Sequence, residues 1–149
     1  MKAEDIPYKY THCYATDTQC TQAGHCLRHH AARLNEEQPK PYSVVLCITP
    51  TYVAQVAAGE SCKHYRPDTL FRYARGMKHL FDAVPRSLYP QVRKRVMQIF
   101  SCERIFYYAQ KGEYLISPKE QERINSIFTQ AGLPAPLFDE YVTQPDWKA

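Results

Sequence analysis

Residues 103–117 read ERIFYYAQKGEYLIS. Aromatic and β-branched side chains stand on both sides of a Gln-Lys-Gly turn, a composition that predicts a β-hairpin with a loop of three residues or slightly more. Lys111 then falls at the tip. A hairpin at this place sets a small sheet against the helices that the neighbouring sequence predicts.

Upstream, Pro67 and Asp68 open a helix, with Asp68 as N-cap and Leu70, Ala74, Met77, Phe81 and Val84 three or four apart on one face. Pro85 closes it. Ser87 caps the next helix, which tolerates Pro90 in its first turn and buries Leu88, Val92, Val96 and Ile99 or Phe100. Downstream, Ser117-Pro118-Lys119-Glu120 is a capping box with proline at the first helical position. Ile124, Ile127, Phe128 and Ala131 continue that helix, and Gly132 ends it ahead of Pro134 and Pro136. The tail LFDEYVTQPDW then lays Leu137, Phe138, Tyr141 and Trp147 onto the body.

In the first half, QAGHCLRHHAARLN from Gln22 to Asn35 has helical spacing of Cys26, Leu27, His30, Ala31 and Leu34. YSVVLCI, Tyr42 to Ile48, is the strand candidate and carries Cys47. The fold class expected is α+β: a mainly helical body with a β-hairpin and an irregular N-terminal cysteine-rich unit. Residues 1–149 form one unit on this reading, with a cysteine-rich part at 1–66 and a helix-helix-hairpin-helix part at 67–149.

Charge is unevenly spread. Between Lys63 and Arg104 there are ten Lys or Arg against Asp68, Asp82 and Glu103, whereas the formal charge of the whole chain is +4. A basic central stripe favours anionic partners, DNA or RNA first. Helix, short turn, helix and hairpin is also the order of a winged helix-turn-helix, whose second helix enters the major groove while the hairpin touches the backbone. The residues this assigns to nucleic acid are Arg86, Arg93, Lys94, Arg95 and Lys111. The plainer alternative is a solvated basic helix face, and a partner protein is a further alternative.

With 149 residues, 44% hydrophobic and 23% charged, the composition is that of a folded globular protein. The N-terminus MKAEDIPYKYTHC contains no apolar run of signal-peptide type, and no window approaches the roughly 20 apolar residues of a membrane span. The expectation is a cytoplasmic protein with no membrane partner. In a reducing compartment, clustered thiols are more often metal ligands or redox centres than disulfides.

The stretch YTHCYATDTQCTQAGHCLRHHAARL, Tyr10 to Leu34, brings together three of the six cysteines. Cys13, Cys20 and Cys26 lie six or seven residues apart, and Cys62, in the loop GESCKHYRP, offers a fourth thiol. Four thiolates suffice for tetrahedral zinc or, alternatively, for an iron-sulfur cluster. His25, His29, His30 and His64 stand near enough in sequence to replace one of them. An irregular loop such as CYATDTQCTQAGHC buries little apolar area, whereas a structural zinc supplies on the order of ten kcal/mol toward ordering it. Against this stands the reading of free cysteines as small buried hydrophobes, which suits Cys47 and Cys102.

Walker loops, dinucleotide glycine patterns, nucleophile elbows and zinc-protease helices are all missing from the sequence, and five glycines leave little for a phosphate cradle. His25-Cys26 and Cys62-Lys63-His64 keep a thiol or redox enzyme as the alternative. The reading is therefore a binding or regulatory protein ahead of an enzyme.

Together, the CX6CX5CLR pattern of Cys13, Cys20, Cys26, Leu27 and Arg28, the CKHY loop at 62–65, the GMKHLFDAVP segment and the YLISPKEQ capping box resemble an uncharacterised family of Bacteroidetes proteins, a domain of unknown function. The resemblance spans nearly the whole chain. It implies a bacterial cytoplasmic protein with no established substrate.

Overall fold

A computed structural model describes residues 1–39, 41 and 44–148. The chain divides into two compact units, Met1–Leu70 with Pro145–Ala149, and Phe71–Gln144. The fold is α+β and mainly helical, with one three-stranded sheet.

In the first unit, short 3-10 turns at Ala3–Asp5 and Ala23–His25 precede helix α1, Leu27–Glu37, and helix α2 follows at Pro50–Ala57. The expected helix at 22–35 thus begins later, after Cys26, because residues 23–25 take the tighter turn. Leu27 and Ala31, one turn apart on α1, pack with Ile6 and Trp147 into a small core against which Tyr10 and Leu34 lie. The Tyr10 and Trp147 rings meet edge to face, 5.1 Å between centroids. Thr49 caps α2 by accepting from the Tyr52 N–H at 3.4 Å, with Pro50 in the first turn.

The strand expected at 42–48 falls partly on Tyr42 and Ser43, which lie outside the described residues. From Val44 to Ile48 there is only an isolated parallel bridge, His12 with Cys47, made by the His12 N–H to the Leu46 carbonyl at 2.8 Å and the Ile48 N–H to the His12 carbonyl at 2.9 Å. Cys47 is exposed.

In the second unit, two assignments made from sequence exchange places. Residues 68–84 are not a helix: Leu70–Arg75 form strand β1, and turns follow. The spacing of Leu70, Ala74 and Met77 is helical, but Leu70 is exposed and Met77 lies beyond the end of the strand. Gly76 settles it, with φ +82 and no room for a Cβ beside the Asp139 carboxylate. That carboxylate accepts the Lys78 N–H at 3.1 Å, while the Asp139 N–H donates to the Gly76 carbonyl at 3.1 Å.

Helix α3, Tyr89–Met97, begins two residues after Ser87 and buries Val92 and Val96. The expected hairpin at 103–117 is instead helix α4, Glu103–Lys111, followed by strand β2, Leu115–Ile116. Phe106 and Ala109 are fully buried at helical spacing. Glu103 in the first turn and Lys111 in the last complement the helix dipole. Gly112, at φ +86, is the left-handed C-terminal cap that sequence reading takes for a hairpin loop. The winged-helix order is thereby lost.

Helix α5, Pro118–Gln130, starts at the expected capping box: Ser117 Oγ accepts from the Glu120 N–H at 3.3 Å, and Glu120 Oε2 accepts from the Ser117 N–H at 2.8 Å. Tyr114 donates its hydroxyl to the same carboxyl group at 3.0 Å, and burial and that bond push its pKa up to about 12. Residues 140–145 form strand β3, Glu140–Pro145, in a sheet ordered β2-β1-β3. β1 pairs antiparallel with β2 through Ala74 with Ile116 and Arg75 with Leu115. Of the tail, Trp147 is buried as expected, but Leu137 is exposed.

A methyl group at Gly76 meets both a left-handed backbone and the Asp139 side chain, whereas a Cβ at Gly24 meets nothing within 4 Å. Gly76→Ala is therefore expected to destabilise by at least about 1 kcal/mol in denaturant titrations, and Gly24→Ala by less than about 0.5 kcal/mol. Equal effects would contradict the strand-turn geometry.

Candidate metal centre

Backbone hydrogen bonds bring the cysteine-bearing segments to the N-terminus of α1. The Cys13 N–H donates to the Arg28 carbonyl at 2.9 Å. On the other side, the Leu27 N–H donates to the Arg66 carbonyl at 2.8 Å and the Asp68 N–H to the His25 carbonyl at 3.2 Å, around an antiparallel bridge between Cys26 and Pro67. The loop from Cys62 is thus turned back onto Cys26. Between Cys13 and Cys20 the chain folds on itself, with the Gln19 and Cys20 N–H groups both donating to the Thr16 carbonyl at 3.0 Å.

The Arg28 side chain fastens these pieces. Its Nε donates to the His64 carbonyl at 3.0 Å, its Nη1 to the Thr11 carbonyl at 3.3 Å, and its guanidinium lies 5.4 Å from the Tyr10 ring centroid. Tyr52 of α2 supports the same loop from outside: its hydroxyl accepts the Lys63 N–H at 2.9 Å, and its ring packs edge to face on His64.

Cys13, Cys20, Cys26 and Cys62 consequently line one void of about 20 Å³, together with His29 and His64. That is close to the space one water or one ion needs, on the order of 10–15 Å³ as a minimum. Cys26 is buried and the other three are half-buried. Burial pushes the Cys13 thiol up; negative charge on Cys26, Cys20 and Cys62 adds to the rise, and a hydrogen bond with the Ala15 backbone opposes it. All six cysteines are free. Among the described residues, no group of three or more His, Cys, Asp or Glu side chains is arranged as it stands to hold a metal ion. The donors have soft-metal chemistry and share one void, without forming a finished coordination shell.

The histidines named as alternates separate. His25 and His30 both face Asp68 Oδ2, at 3.6 and 3.2 Å, and do not line the void. His29 and His64 do, and His29 is 9% exposed with a buried Nδ1 that has no partner. Cys47 and Cys102, read as core or incidental, are exposed and stand outside the void. Sequence reading missed the roles of Arg28, Tyr52 and Asp68. Arg28 follows Cys26 by two residues, in the first turn of a helix where a cation opposes the dipole, and that misplacement was the available signal.

Of the residues assigned to nucleic acid, Arg93 stacks 5.2 Å from the Phe106 centroid and donates to the Tyr107 hydroxyl at 3.2 Å, and Arg95 donates to Gln130 Oε1. Both side chains join α3 to neighbouring helices. Arg86, Lys94 and Lys111 are exposed, with Lys111 ending α4 instead of tipping a hairpin. No helix among the described residues is long and apolar enough to cross a membrane.

A thiol whose pKa is raised by folding contributes stability that is complete below its unfolded value, ordinarily 9.0 for cysteine, and is lost as pH rises through the folded value. Between about pH 8 and about pH 10, the chelator-treated chain should lose stability more steeply than its Cys13→Ser variant. Parallel slopes would show that Cys13 is not held in this environment.

Comparison with curated proteins and with solved structures returns no match. The sequence profile of a family of unknown function, DUF6078, matches residues 1–147, and the chain belongs to that family.

Proposed function

We propose that Cys13, Cys20, Cys26 and Cys62 bind one zinc ion as a structural centre, in a small metal-stabilised protein whose role is binding or regulation. The observation that carries this reading is the gathering of four cysteines, spread from position 13 to position 62, around one void. Four thiolates close a tetrahedral shell and leave no open position for substrate, so the metal orders the chain and does no chemistry.

Electrostatics supports the same reading. Zinc with four thiolates carries a net charge of about −2. The N-terminus of α1, which starts directly after Cys26, and the guanidinium of Arg28 beside the void both offset that charge. A void of about 20 Å³ favours a single ion over an iron-sulfur cluster. The thiol-enzyme alternative needs a histidine beside a free thiol, and His25, next to Cys26 in sequence, faces Asp68 instead. Association with DNA or RNA is supported by the charge excess of residues 63–104 alone, since its topological argument is gone.

Protein purified anaerobically without added metal should contain about one equivalent of zinc by elemental analysis. Cys13→Ser, Cys20→Ser, Cys26→Ser and Cys62→Ser should each weaken retention roughly tenfold or more under chelator competition, and Cys47→Ser should not. Less than about one-tenth of an equivalent of zinc in the unmutated protein would end the proposal, whatever iron it carries.

A further inference from the structure

We propose that a groove between α3 and α5, within the second unit, binds the phosphate group of a compact phosphate monoester. The groove measures about 300 Å³, and its wall is mainly polar. One side comes from the last turn of α3 and the residues just after it. The other is a stripe of α5 on which Arg123, Ser126, Ile127 and Gln130 follow at helical spacing. No residue is shared with the thiol void.

Two arginines, Arg95 and Arg123, line this space, and among the described residues no Asp or Glu does. Of the α5 carboxylates nearest in sequence, Glu120 is engaged by Ser117 and Tyr114, and Glu122 is not a lining residue. Arg95 donates to Gln130 Oε1, a bond that runs from one wall to the other. Arginine has only donors, so the amide turns its oxygen to Arg95 and keeps its NH2 as a donor for something else. Arg123 is exposed and, like Gln98, makes no hydrogen bond or ion pair to another described residue. Ser126 is different: its hydroxyl donates to the Glu122 carbonyl at 2.9 Å. The donors left for a ligand are therefore two guanidinium groups and two amides.

Charge and geometry select the ligand. Like charges lining one groove repel, and an anion between them removes that cost. A phosphate monoester carries about −1.5 to −2 at pH 7 with three strong acceptor oxygens, which matches two arginines and the amides beside them. A carboxylate or a phosphodiester, with a single charge, leaves one arginine uncompensated. Guanidinium forks bind phosphate oxygens in pairs, which fixes the orientation of the group. Ile99 and Ile127 add an apolar strip for the body of the ester. The volume lies at the small end of the range for small-molecule sites, so that body is compact.

The test is calorimetric titration of the protein as purified, in buffer free of phosphate and sulfate, with adenosine 5′-monophosphate and with glucose 6-phosphate. Adenosine 3′,5′-cyclic monophosphate serves as the diester and adenosine as the body alone. The expected result is one saturable site for at least one monoester, the two arms separating a nucleoside from a sugar body, with the diester about tenfold weaker or worse. Affinity should fall about fivefold between about pH 7.5 and about pH 5, as the monoester takes up its second proton near pH 6. Arg123 and Ser126 are both exposed, so their variants should keep the fold. Arg123→Gln should weaken the monoesters about tenfold, and Ser126→Glu should abolish saturable binding by repulsion. Arg104→Gln, at an exposed position of α4 that does not line the groove, should change nothing. The proposal is overturned if neither monoester saturates at millimolar concentration, if the diester or adenosine binds as tightly as the monoesters, or if Arg123→Gln has no more effect than Arg104→Gln.

Discussion

Arg28 occupies a position that helix energetics alone would not choose. It stands in the first turn of α1, where a cation opposes the macrodipole, and its side chain turns to the carbonyls of Thr11 and His64. Those two carbonyls belong to the segments carrying Cys13 and Cys62, and Cys26 immediately precedes the helix. One guanidinium therefore holds together what the thiol void requires. The apolar core of this unit, formed by Ile6, Leu27, Ala31 and Trp147, is small. Burial of a leucine such as Leu27 is worth about 2 kcal/mol, so a core of this size gives irregular chain at 11–25 and 58–68 limited support. Charge-assisted hydrogen bonds from Arg28 answer part of that need, and the metal proposed for the void would answer the rest.

The second unit is stabilised differently. Met77, Val96, Phe106, Ile116 and Ile124 are fully buried in one continuous core, and no metal is needed to account for it. Gly76 and Gly112 place the strand and the helix ends where these side chains meet. Both use left-handed backbone, and Gly112 closes α4 with the Glu113 N–H donating to the Tyr108 carbonyl at 2.9 Å.

How much of this was legible in the sequence follows from what each signal measures. The capping box at Ser117 and the Val92–Val96 stripe are local, and they locate α5 and α3 almost to the residue. Residues 103–111 are misassigned because aromatic composition reports a preference for half-buried surface, which a helix supplies as well as a strand, and residues 70–84 because apolar side chains three or four apart recur there without a helix. Phe106 and Ala109 at helical spacing, with glycine directly after Lys111, were the better guide. Helix α2 went unread although Thr49-Pro50 is a sound start signal. At the site, sequence spacing picked out the four cysteines that line the void. The backbone bonds from Leu27 to Arg66 and from Asp68 to His25 that return Cys62 to them leave no side-chain pattern to read. Asp68, read as a helix cap, instead engages His25 and His30 and removes both from the set of alternate ligands. The groove between α3 and α5 joins residues of two separate helices, and Arg123 lines it without a sequence signature.

The central claim is that four thiolates share one metal, and X-ray absorption at the zinc edge of protein isolated without added metal tests it most directly. The expected result is a first shell of four sulfurs at about 2.3 Å. A shell dominated by nitrogen or oxygen, or a protein that carries no zinc, would contradict it.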